Sequence, residues 1–266
     1  TDNQVRTLVL TSSIPKEGKS LINILLAKTL ADMGEKILLI DADLRKSQVH
    51  QRLGVNNLIG LSNLLADSTI NIDQAIQPIV GYKNWHVITG GTIPPDPTRL
   101  LNSKRLENII DECKKSEKYD MILFDCPPVL GLADPLLLAN KVDGAILVIG
   151  LGVADRAMPK ESIKRLSSSG INLYGAVTNS TQKETINSEG AYGYGYGGYG
   201  GYGGYGVYGD YTNLYASYAM DAEDNKKELN QNNSSEIGVG NKNQSDKNSL
   251  NDKYRKLIRD VFNWLD

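Results

Sequence analysis

Short apolar runs alternate with helical patterns along the chain up to about residue 179. Six runs rich in aliphatic side chains predict β-strands at residues 7–11, 36–41, 85–89, 121–125, 144–149 and 173–178. Their apolar character is nearly continuous, which is typical of strands covered by helices on both faces. The alternation of strands with helices predicts an α/β fold with a mainly parallel sheet and helices on both faces.

The helical patterns have recognisable ends. Residues 20–33 carry apolar side chains at helical spacing and are followed by Gly34, a residue type favoured just after helices. Further helices are predicted at residues 61–66, 104–115, 135–139 and 159–168. Residues 94–97 read Pro-Pro-Asp-Pro, which predicts a rigid connection without regular structure.

The composition changes after the last predicted strand. Residues 190–218 are mostly Gly and Tyr, and this segment contains the tyrosines Tyr192, Tyr194, Tyr196, Tyr199, Tyr202, Tyr205, Tyr208, Tyr211, Tyr215 and Tyr218. Residues 219–249 are polar and predict a disordered linker, whereas residues 250–266 predict a short amphipathic helix. The sequence therefore predicts a folded domain over residues 1–189 and three C-terminal segments.

A candidate phosphate-binding loop lies between the first predicted strand and the first predicted helix. Residues 13–20 read Ser-Ile-Pro-Lys-Glu-Gly-Lys-Ser, a near match to the loop that wraps the phosphates of ATP. In such loops N–H groups at the helix start hold phosphate oxygens, lysine neutralises their charge and the following hydroxyl binds Mg²⁺. The alternative is an ordinary strand-to-helix turn. The predicted contacts with ATP are made by Ser13, Pro15, Glu17, Gly18, Lys19, Ser20 and Leu21.

Acidic residues follow two of the predicted strands. Asp41 and Asp43 come at the end of the second strand, and Asp125 ends the fourth. Because ligands of open parallel sheets bind beyond the carboxyl ends of the strands, these carboxylates are predicted to face the γ-phosphate and its metal. Each acid taken singly could also be a turn or cap residue. Arg45 has two open interpretations, a contact with the nucleotide phosphates and a surface ion pair.

Charge and cysteine content exclude several classes of site. The formal charge of −2 gives no reason to expect nucleic acid as a partner. Cys113, Cys126, His50 and His86 show no metal-ligand spacing, so neither a structural metal site nor a disulfide framework is expected. No apolar run is long enough to cross a bilayer. Because the sequence begins without Met, we expect a fragment whose preceding segment could hold a membrane anchor.

Taken together, the motifs resemble those of the bacterial tyrosine kinases, the polysaccharide chain-length autokinases. The similarity extends from about residue 7 to residue 218. It includes the phosphate loop, Ile-Asp-Ala-Asp-Leu-Arg at residues 40–45, Gly-Leu-Ser-Asn-Leu-Leu at 60–65, Gly-Gly-Thr-Ile-Pro-Pro-Asp-Pro-Thr-Arg-Leu-Leu at 90–101, Phe-Asp-Cys-Pro-Pro at 124–128 and the tyrosine cluster.

The resemblance implies a P-loop NTPase-like domain that acts as a non-specific protein-tyrosine kinase with ATP and Mg²⁺. Lys19 and Ser20 would hold ATP·Mg²⁺, and Asp41 would activate the phenol. Asp43 and Asp125 would bind the metal together with Ser20. The ten tyrosines of residues 190–218 would be the phosphoacceptors, with transfer to a neighbouring copy.

The resemblance also implies partners and a location. The partners would be further copies of the chain in a homo-oligomer such as a ring, a transmembrane activator domain, fused or separate, and a tyrosine phosphatase. The location would be the cytoplasmic face of the bacterial inner membrane. Autophosphorylation would regulate oligomerisation and the synthesis or export of exopolysaccharide or capsule.

Two other interpretations compete with the kinase hypothesis. The first is a partition- or division-site ATPase, a nucleotide switch on the same fold. Such proteins carry a signature lysine four residues before the loop glycine, where this chain has Ile14. The second interpretation makes the Gly/Tyr segment a self-associating low-complexity tract, which could coexist with phosphorylation.

Overall fold

A seven-stranded sheet organises residues 5–180, the part of the chain that the computed structural model describes. The strands are β1 (Thr7–Ser12), β2 (Ile37–Asp41), β3 (Ile76–Pro78), β4 (Trp85–Ile88), β5 (Met121–Asp125), β6 (Gly144–Leu151) and β7 (Leu173–Ser180). Their order across the sheet is β3-β4-β2-β5-β1-β6-β7. All neighbouring pairs are parallel except β3 with β4, so the predicted mainly parallel α/β sheet is confirmed.

The six predicted strands are all present, and β3 is the strand that the sequence did not indicate. Its three residues end in Pro78, which breaks the usual pattern of a strand. Proline is tolerated there because β3 lies at the edge of the sheet, where an N–H group is not needed for pairing on both sides.

Seven α-helices connect or follow the strands in the described residues. They are α1 (Lys19–Asp32), α2 (Val49–Leu53), α3 (Leu61–Ala66), α4 (Pro97–Leu101), α5 (Lys104–Lys115), α6 (Asp134–Ala139) and α7 (Ala157–Ser168), and a short 3₁₀ helix spans Ile72–Gln74. The sequence did not predict α2, α4 or the 3₁₀ helix. The predicted segments beyond residue 180, including the helix at 250–266 and the boundary at 189, lie outside the described residues.

The expectation that residues 94–97 lack regular structure is wrong for the last of them. Pro97 is the first residue of α4, a position where its fixed φ and missing N–H cost nothing. The side chain of Asp96 accepts a hydrogen bond from Arg99 N at 3.0 Å and caps the helix. The proline-rich run is therefore a connection that also starts a helix.

The core lies on both faces of the sheet because successive side chains of each strand point in opposite directions. On β2, Leu38 and Ile40 join the apolar cluster that contains α5, whereas Ile37 and Leu39 join the cluster that contains α1. Helices thus cover both faces, as the nearly continuous apolar strands predicted. None of the helices in this part of the chain is long and apolar enough to span a membrane.

The register of the central strands determines where the polar residues meet. Asp41 at the end of β2 is paired in register with Asp125 at the end of β5, and Leu10 of β1 is paired with the same Asp125. The loop between β1 and α1 leaves the sheet at this edge. The fold therefore brings the candidate phosphate loop and the strand-end acids together.

Candidate active site

The loop between β1 and α1 has the backbone geometry of a tight strand-to-helix turn. Gly18 precedes the first residue of α1 and has a positive φ of 88°, which favours glycine. A Cβ atom at Gly18 would also collide with the side-chain amide of Asn179 on β7. Lys16 adopts a φ of 70°, an uncommon conformation for a residue other than glycine.

The buried side chain of Glu17 stabilises this loop through hydrogen bonds. Its buried carboxylate accepts hydrogen bonds from Ile14 N at 2.7 Å and from Gly150 N at 2.9 Å. Burial raises the pKa of Glu17, and the backbone N–H donors oppose that rise. The carbonyl of Glu17 accepts a hydrogen bond from Asn179 Nδ2 at 3.0 Å. The loop is therefore tied to β6 and β7, the two strands that flank its own strand on one side.

Lys19 lies at the centre of a buried charge cluster. Its Nζ is 3.0 Å from Asp43 Oδ2 and 3.6 Å from Asp125 Oδ2, and it donates a hydrogen bond to Ser20 Oγ at 3.3 Å. Ser20 Oγ in turn donates to Asp125 Oδ2 at 2.6 Å. The structure thus brings together four of the residues predicted from the sequence to hold the nucleotide and its metal.

The charges of the cluster shift one another's pKa values. Burial alone would lower the pKa of Lys19, but the negative charges of Asp125 and Asp43 outweigh it and raise that pKa. Burial also raises the pKa of Asp125, an effect that Lys19 and the hydrogen bond from Ser20 oppose. A raised pKa keeps the lysine positively charged at neutral pH.

Asp41 is held separately from the lysine, by backbone and hydroxyl donors. Its Oδ2 accepts hydrogen bonds from Ser47 Oγ at 2.7 Å and from Val49 N at 3.1 Å, and its Oδ1 accepts from Asp43 N at 3.2 Å. Burial raises the pKa of Asp41, the charges of Asp125 and Asp43 add to the rise, and the hydrogen bond from Ser47 opposes it. Among the described residues Asp41 makes no ion pair.

Two residues near Asp41 were not singled out as site residues from the sequence. Ser47 links Asp41 to His50 on α2, whose Nδ1 lies 3.3 Å from Ser47 Oγ. Burial lowers the pKa of His50. Gly90 leaves room for this arrangement, because a Cβ atom there would lie 2.7 Å from Ser47 Oγ and 3.9 Å from Asp41 Cγ. The loop between β4 and α4 therefore borders the carboxylate.

The donor set fits Mg²⁺ bound together with phosphates. Asp125 Oδ1 is buried and has no hydrogen-bond partner within residues 5–180, and the Ser20 hydroxyl lies beside the same carboxylate. No cluster of three or more His, Cys, Asp or Glu side chains that could hold a metal by itself is found in this range. Mg²⁺ commonly takes one or two carboxylates and completes its shell with water and substrate phosphates.

Arg45 forms the ion pair that was one of its two interpretations. Its Nε lies 2.7 Å from Asp134 Oδ2, and one of its terminal nitrogens donates to Thr98 Oγ1 at 2.8 Å. The pair is not a surface pair, because Asp134 is buried. Asp134 is a partner that the sequence pattern did not indicate, and contact of Arg45 with a nucleotide stays a prediction.

The remaining predicted residues occupy different places. Ser13 is buried in the loop, where its carbonyl accepts a hydrogen bond from Leu130 N at 3.2 Å. Pro15 is half-buried, and Leu21 is exposed on the first turn of α1. Cys126 is fully buried, and burial raises the pKa of its thiol well above the usual value, as expected of a packed residue. The ten candidate phosphoacceptor tyrosines lie outside the described residues.

The sequence is similar to that of known proteins. A family model described as an AAA domain matches residues 16–158. Tyrosine-protein kinase YwqD of Bacillus subtilis is 37% identical over 192 residues, which are 72% of this chain and 79% of YwqD. Tyrosine-protein kinase etk of Escherichia coli K12 is 33% identical over 194 residues, which are 73% of this chain but only 26% of etk.

The fold is similar to that of solved structures as well. The kinase domain of Escherichia coli tyrosine kinase ETK matches with a TM-score of 0.64 and 32% identity over 74% of each chain. The cell division ATPase MinD of Pyrococcus furiosus matches with a TM-score of 0.55 and 25% identity, over 65% of this chain and 71% of that chain. The sheet and its phosphate loop thus have the fold of P-loop nucleotide-binding proteins.

Proposed function

The chain belongs to the bacterial tyrosine-protein kinases, and we propose that it transfers the γ-phosphoryl group of Mg²⁺·ATP to tyrosines of its own residues 190–218. One observation carries this proposal. Lys19 pairs with Asp43 and Asp125, whereas Asp41, at the same edge of the sheet, is held by Ser47 and has no ion pair within residues 5–180. The carboxylates therefore divide into a pair that contacts Lys19, which we assign to the nucleotide and metal, and one that does not, which we assign to the phenol.

Each residue of the site has a separate task in the proposed reaction. Asp41 accepts the proton of the tyrosine hydroxyl while the phenolic oxygen bonds to the γ-phosphorus and the bond to the ADP oxygen breaks. Lys19 and the N–H groups at the start of α1 stabilise the negative charge of the phosphoryl oxygens. Ser20, Asp43 and Asp125 would hold Mg²⁺, which supplies further charge neutralisation when it is bound.

The Gly/Tyr segment suits the role of substrate. Glycine offers no side chain for packing, so each phenol can enter a site without unfolding a domain. Ser180 ends β7, which lies four strands from β2, or roughly 19 Å at the usual strand spacing. Tyr192 follows 12 residues later, and a flexible linker of that length spans roughly 19 Å. This reach allows transfer within one copy or between copies, and we propose the latter from the family resemblance.

Mass mapping of phosphotyrosine after incubation with Mg²⁺·ATP tests the proposal. We expect phosphate on several of the ten tyrosines of the unaltered chain and none on Lys19→Met, which should fold but lose the phosphate contact. A chain with all ten tyrosines changed to Phe should bind ATP and accept no phosphate on this segment. Mixing that chain with Lys19→Met tests transfer between copies, because phosphate can then appear only on the Lys19→Met chain.

A division-site ATPase is the second candidate function, and the structural match to MinD is the observation that favours it. Ile14, at the place of the signature lysine of such ATPases, argues against it. The same experiment separates the two functions. ATP consumption with every tyrosine of the chain unmodified would overturn the kinase proposal in favour of a nucleotide switch.

We further propose partners and a location for the kinase. The partners are other copies of the chain, a transmembrane activator domain and a tyrosine phosphatase, and the location is the cytoplasmic face of the inner membrane. The lengths of the relatives support an activator that is either separate or fused, because the match covers most of YwqD but about a quarter of etk. Co-purification of the chain with membrane fractions, and its loss when an activator is deleted, would test this arrangement.

A further inference from the structure

Three large aliphatic side chains are exposed on two neighbouring loops. Leu58 is 75% exposed, Ile59 36% and Ile93 37%. We call these three residues the apolar rim. Single exposed apolar residues are common on protein surfaces and need no explanation. The rim differs from such residues because its two loops meet and because they border the candidate active site.

Side-chain amides hold the two rim loops together. Asn57 Nδ2 donates a hydrogen bond to the carbonyl of Gly91 at 3.0 Å, and Gly91 N donates to Asn57 Oδ1 at 2.9 Å. Asn63 Oδ1 accepts from Gly60 N at 3.1 Å and from Thr92 N at 3.3 Å. The backbones of Gly60 and Gly91 approach so closely that no Cβ atom would fit between them. The rim is therefore a fixed platform.

The loop that carries Ile93 of the apolar rim passes close to the carboxylate proposed to receive the phenolic proton. Gly90 precedes Gly91, and the position of a Cβ atom on Gly90 is 3.9 Å from Asp41 Cγ. With consecutive Cα atoms ~3.8 Å apart, the Cα of Ile93 is at most roughly 17 Å from Asp41 Cγ. A substrate that places one group at Asp41 can thus contact the rim within a few residues.

We propose that the apolar rim is the docking surface for the Gly/Tyr segment at residues 190–218, an inference that rests on the proposed kinase function. The segment contains one charged residue, Asp210, and two large aliphatic residues, Val207 and Leu214, so its ten tyrosine rings provide most of its apolar side-chain surface. From Tyr196 to Tyr211 the tyrosines recur at every third residue, and three extended residues span roughly 10 Å. Ile93 of the rim is at most roughly 17 Å from Asp41, so one tyrosine can rest on the rim while another, three to six residues along the segment, reaches Asp41.

The chain is long enough for this docking. The carboxyl end of β7 is five strands from β4, the strand that leads into Gly90, or roughly 24 Å along the sheet edge. Tyr199 lies 19 residues beyond Ser180, and a flexible linker of that length spans roughly 24 Å. The segment can therefore reach the rim of its own copy.

A peptide-binding measurement tests the proposal on the full chain. The host chain has its own ten tyrosines changed to Ser, so that its tail does not compete. The probe is a labelled peptide of residues 197–204, which contains Tyr199 and Tyr202, and a second peptide carries Tyr199→Ala. Fluorescence anisotropy with Mg²⁺ and a non-transferable ATP analogue gives the dissociation constants, and the transfer of phosphate from ATP to each peptide is measured in parallel.

Each rim substitution has a control of equal exposure. Leu58→Ser is matched by Met33→Ser, since Met33 is 73% exposed, and Ile93→Ser is matched by Ile163→Ser, since Ile163 is 37% exposed. We expect each rim variant to weaken binding of the two-tyrosine peptide by about fivefold, the loss of one buried aliphatic contact. The preference for two tyrosines over one should disappear, and both controls should bind as the host chain does.

Equal binding by the rim variants and their controls would overturn the docking proposal. So would a change in particle mass of Leu58→Ser with unchanged peptide binding, because the rim would then be a contact between copies. Failure of the kinase proposal has a different signature: neither peptide, nor the tail of the chain with its tyrosines intact, would receive phosphate. If the rim variants transfer phosphate to the peptides as well as the host chain does, only the docking proposal is contradicted.

Discussion

Asp41 and Asp43 show how two acids of one type, two residues apart, acquire different surroundings. Asp43 lies in contact with Lys19, whereas Asp41 accepts hydrogen bonds from Ser47 and from the N–H groups of Val49 and Asp43. Both side chains are buried. The difference arises because the chain turns back after β2, so that the N–H group of Val49 at the start of α2 donates to Asp41.

The buried carboxyl of Asp41 makes the nucleotide-free fold sensitive to pH. Burial, followed by the charges of Asp125 and Asp43, raises its pKa above the value of about 3.9 in the unfolded chain. Its contribution to stability is therefore fully present below about pH 4 and is lost as the pH rises through the raised folded pKa. Asp41→Asn does not titrate, so its melting temperature should exceed that of the unaltered chain by more at pH 8 than at pH 5.

Thermal melts of nucleotide-free protein at the two pH values measure this difference. Asp111→Asn on the exposed face of α5 is the control, and its melting temperature should follow that of the unaltered chain at both pH values. A constant gap between Asp41→Asn and the unaltered chain would show that Asp41 does not carry this pH dependence.

Ser47 is expected to act by positioning Asp41. Ser47→Ala removes the 2.7 Å hydrogen bond to Asp41 Oδ2 and leaves the contacts of Lys19 unchanged. A hydrogen bond to a charged group is worth about 1.5 kcal/mol or more, so kcat for tyrosine phosphorylation should fall about tenfold while KM for ATP stays the same. Steady-state kinetics separate the two constants.

Ser116→Ala is the matched control for this change. Its hydroxyl donates to Cys113 O at 2.9 Å at the end of α5, away from the strand-end acids, and its removal should leave kcat unaltered. A rise in KM for ATP with Ser47→Ala would instead place Ser47 in nucleotide binding.

The sequence predicted some site residues and missed others for a physical reason. Lys19 and Asp125 were identifiable because phosphate-loop motifs and acids at the ends of parallel strands lie at ligand sites in many folds. Ser47, His50 and Asp134 were not, because their roles depend on which loops the folded sheet brings together. Asp134, for example, meets Arg45 across 89 residues of sequence.

At the scale of elements, the long segments and three short ones, α3, α6 and β4, were predictable, whereas α2, α4, β3 and the 3₁₀ helix were not. Two kinds of pattern indicated these elements. Nearly continuous apolar runs indicated β1, β2, β4, β5, β6 and β7, and apolar residues at helical spacing indicated α1 and α5. In contrast, α2 and α4 have five residues each, and α4 starts at a proline. Such elements depend on caps and neighbours, so the pattern of a single short segment does not indicate them.

The contact of β7 with the phosphate loop gives a prediction about this element. Asn179→Ala removes the 3.0 Å hydrogen bond to Glu17 O, which should lower the free energy of unfolding by about 1 kcal/mol. The loop should also hold the nucleotide less tightly, with the dissociation constant for ATP rising about fivefold. Denaturant unfolding and calorimetric titration measure the two effects.

Asn172→Ala provides the comparison at the opposite end of the same strand. Its Nδ2 donates at 3.4 Å to Asp143 O, far from the loop, so its removal should leave ATP affinity unchanged. If both variants bound ATP equally well, the tie between β7 and the loop would have no part in nucleotide binding.

At the scale of the whole molecule, the topology of the sheet places the end of β7 at the same edge as the candidate nucleotide-binding residues. Every strand except β3 has its carboxyl end at the edge of the sheet where Lys19 and the acids meet. Strand β7 ends at that same edge, at Ser180. Ser180, the last residue that the structure describes, therefore lies at the same sheet edge as the candidate site. This placement follows from the parallel topology, which the alternation of strands and helices already predicted.

Full phosphorylation should change how copies of the chain associate. Each phosphate adds about −1.5 to −2 charges, so ten phosphates would add roughly −15 to −20 to a chain whose formal charge is −2. Tyrosines three residues apart in the segment are at most roughly 10 Å apart, close to the Debye length in cells. The modified segments should repel one another and leave their docking sites, so an assembly formed before ATP treatment should lose mass by light scattering. Lys19→Met treated with ATP in the same way should keep its mass, and an unchanged mass of the fully phosphorylated chain would contradict a switch by charge.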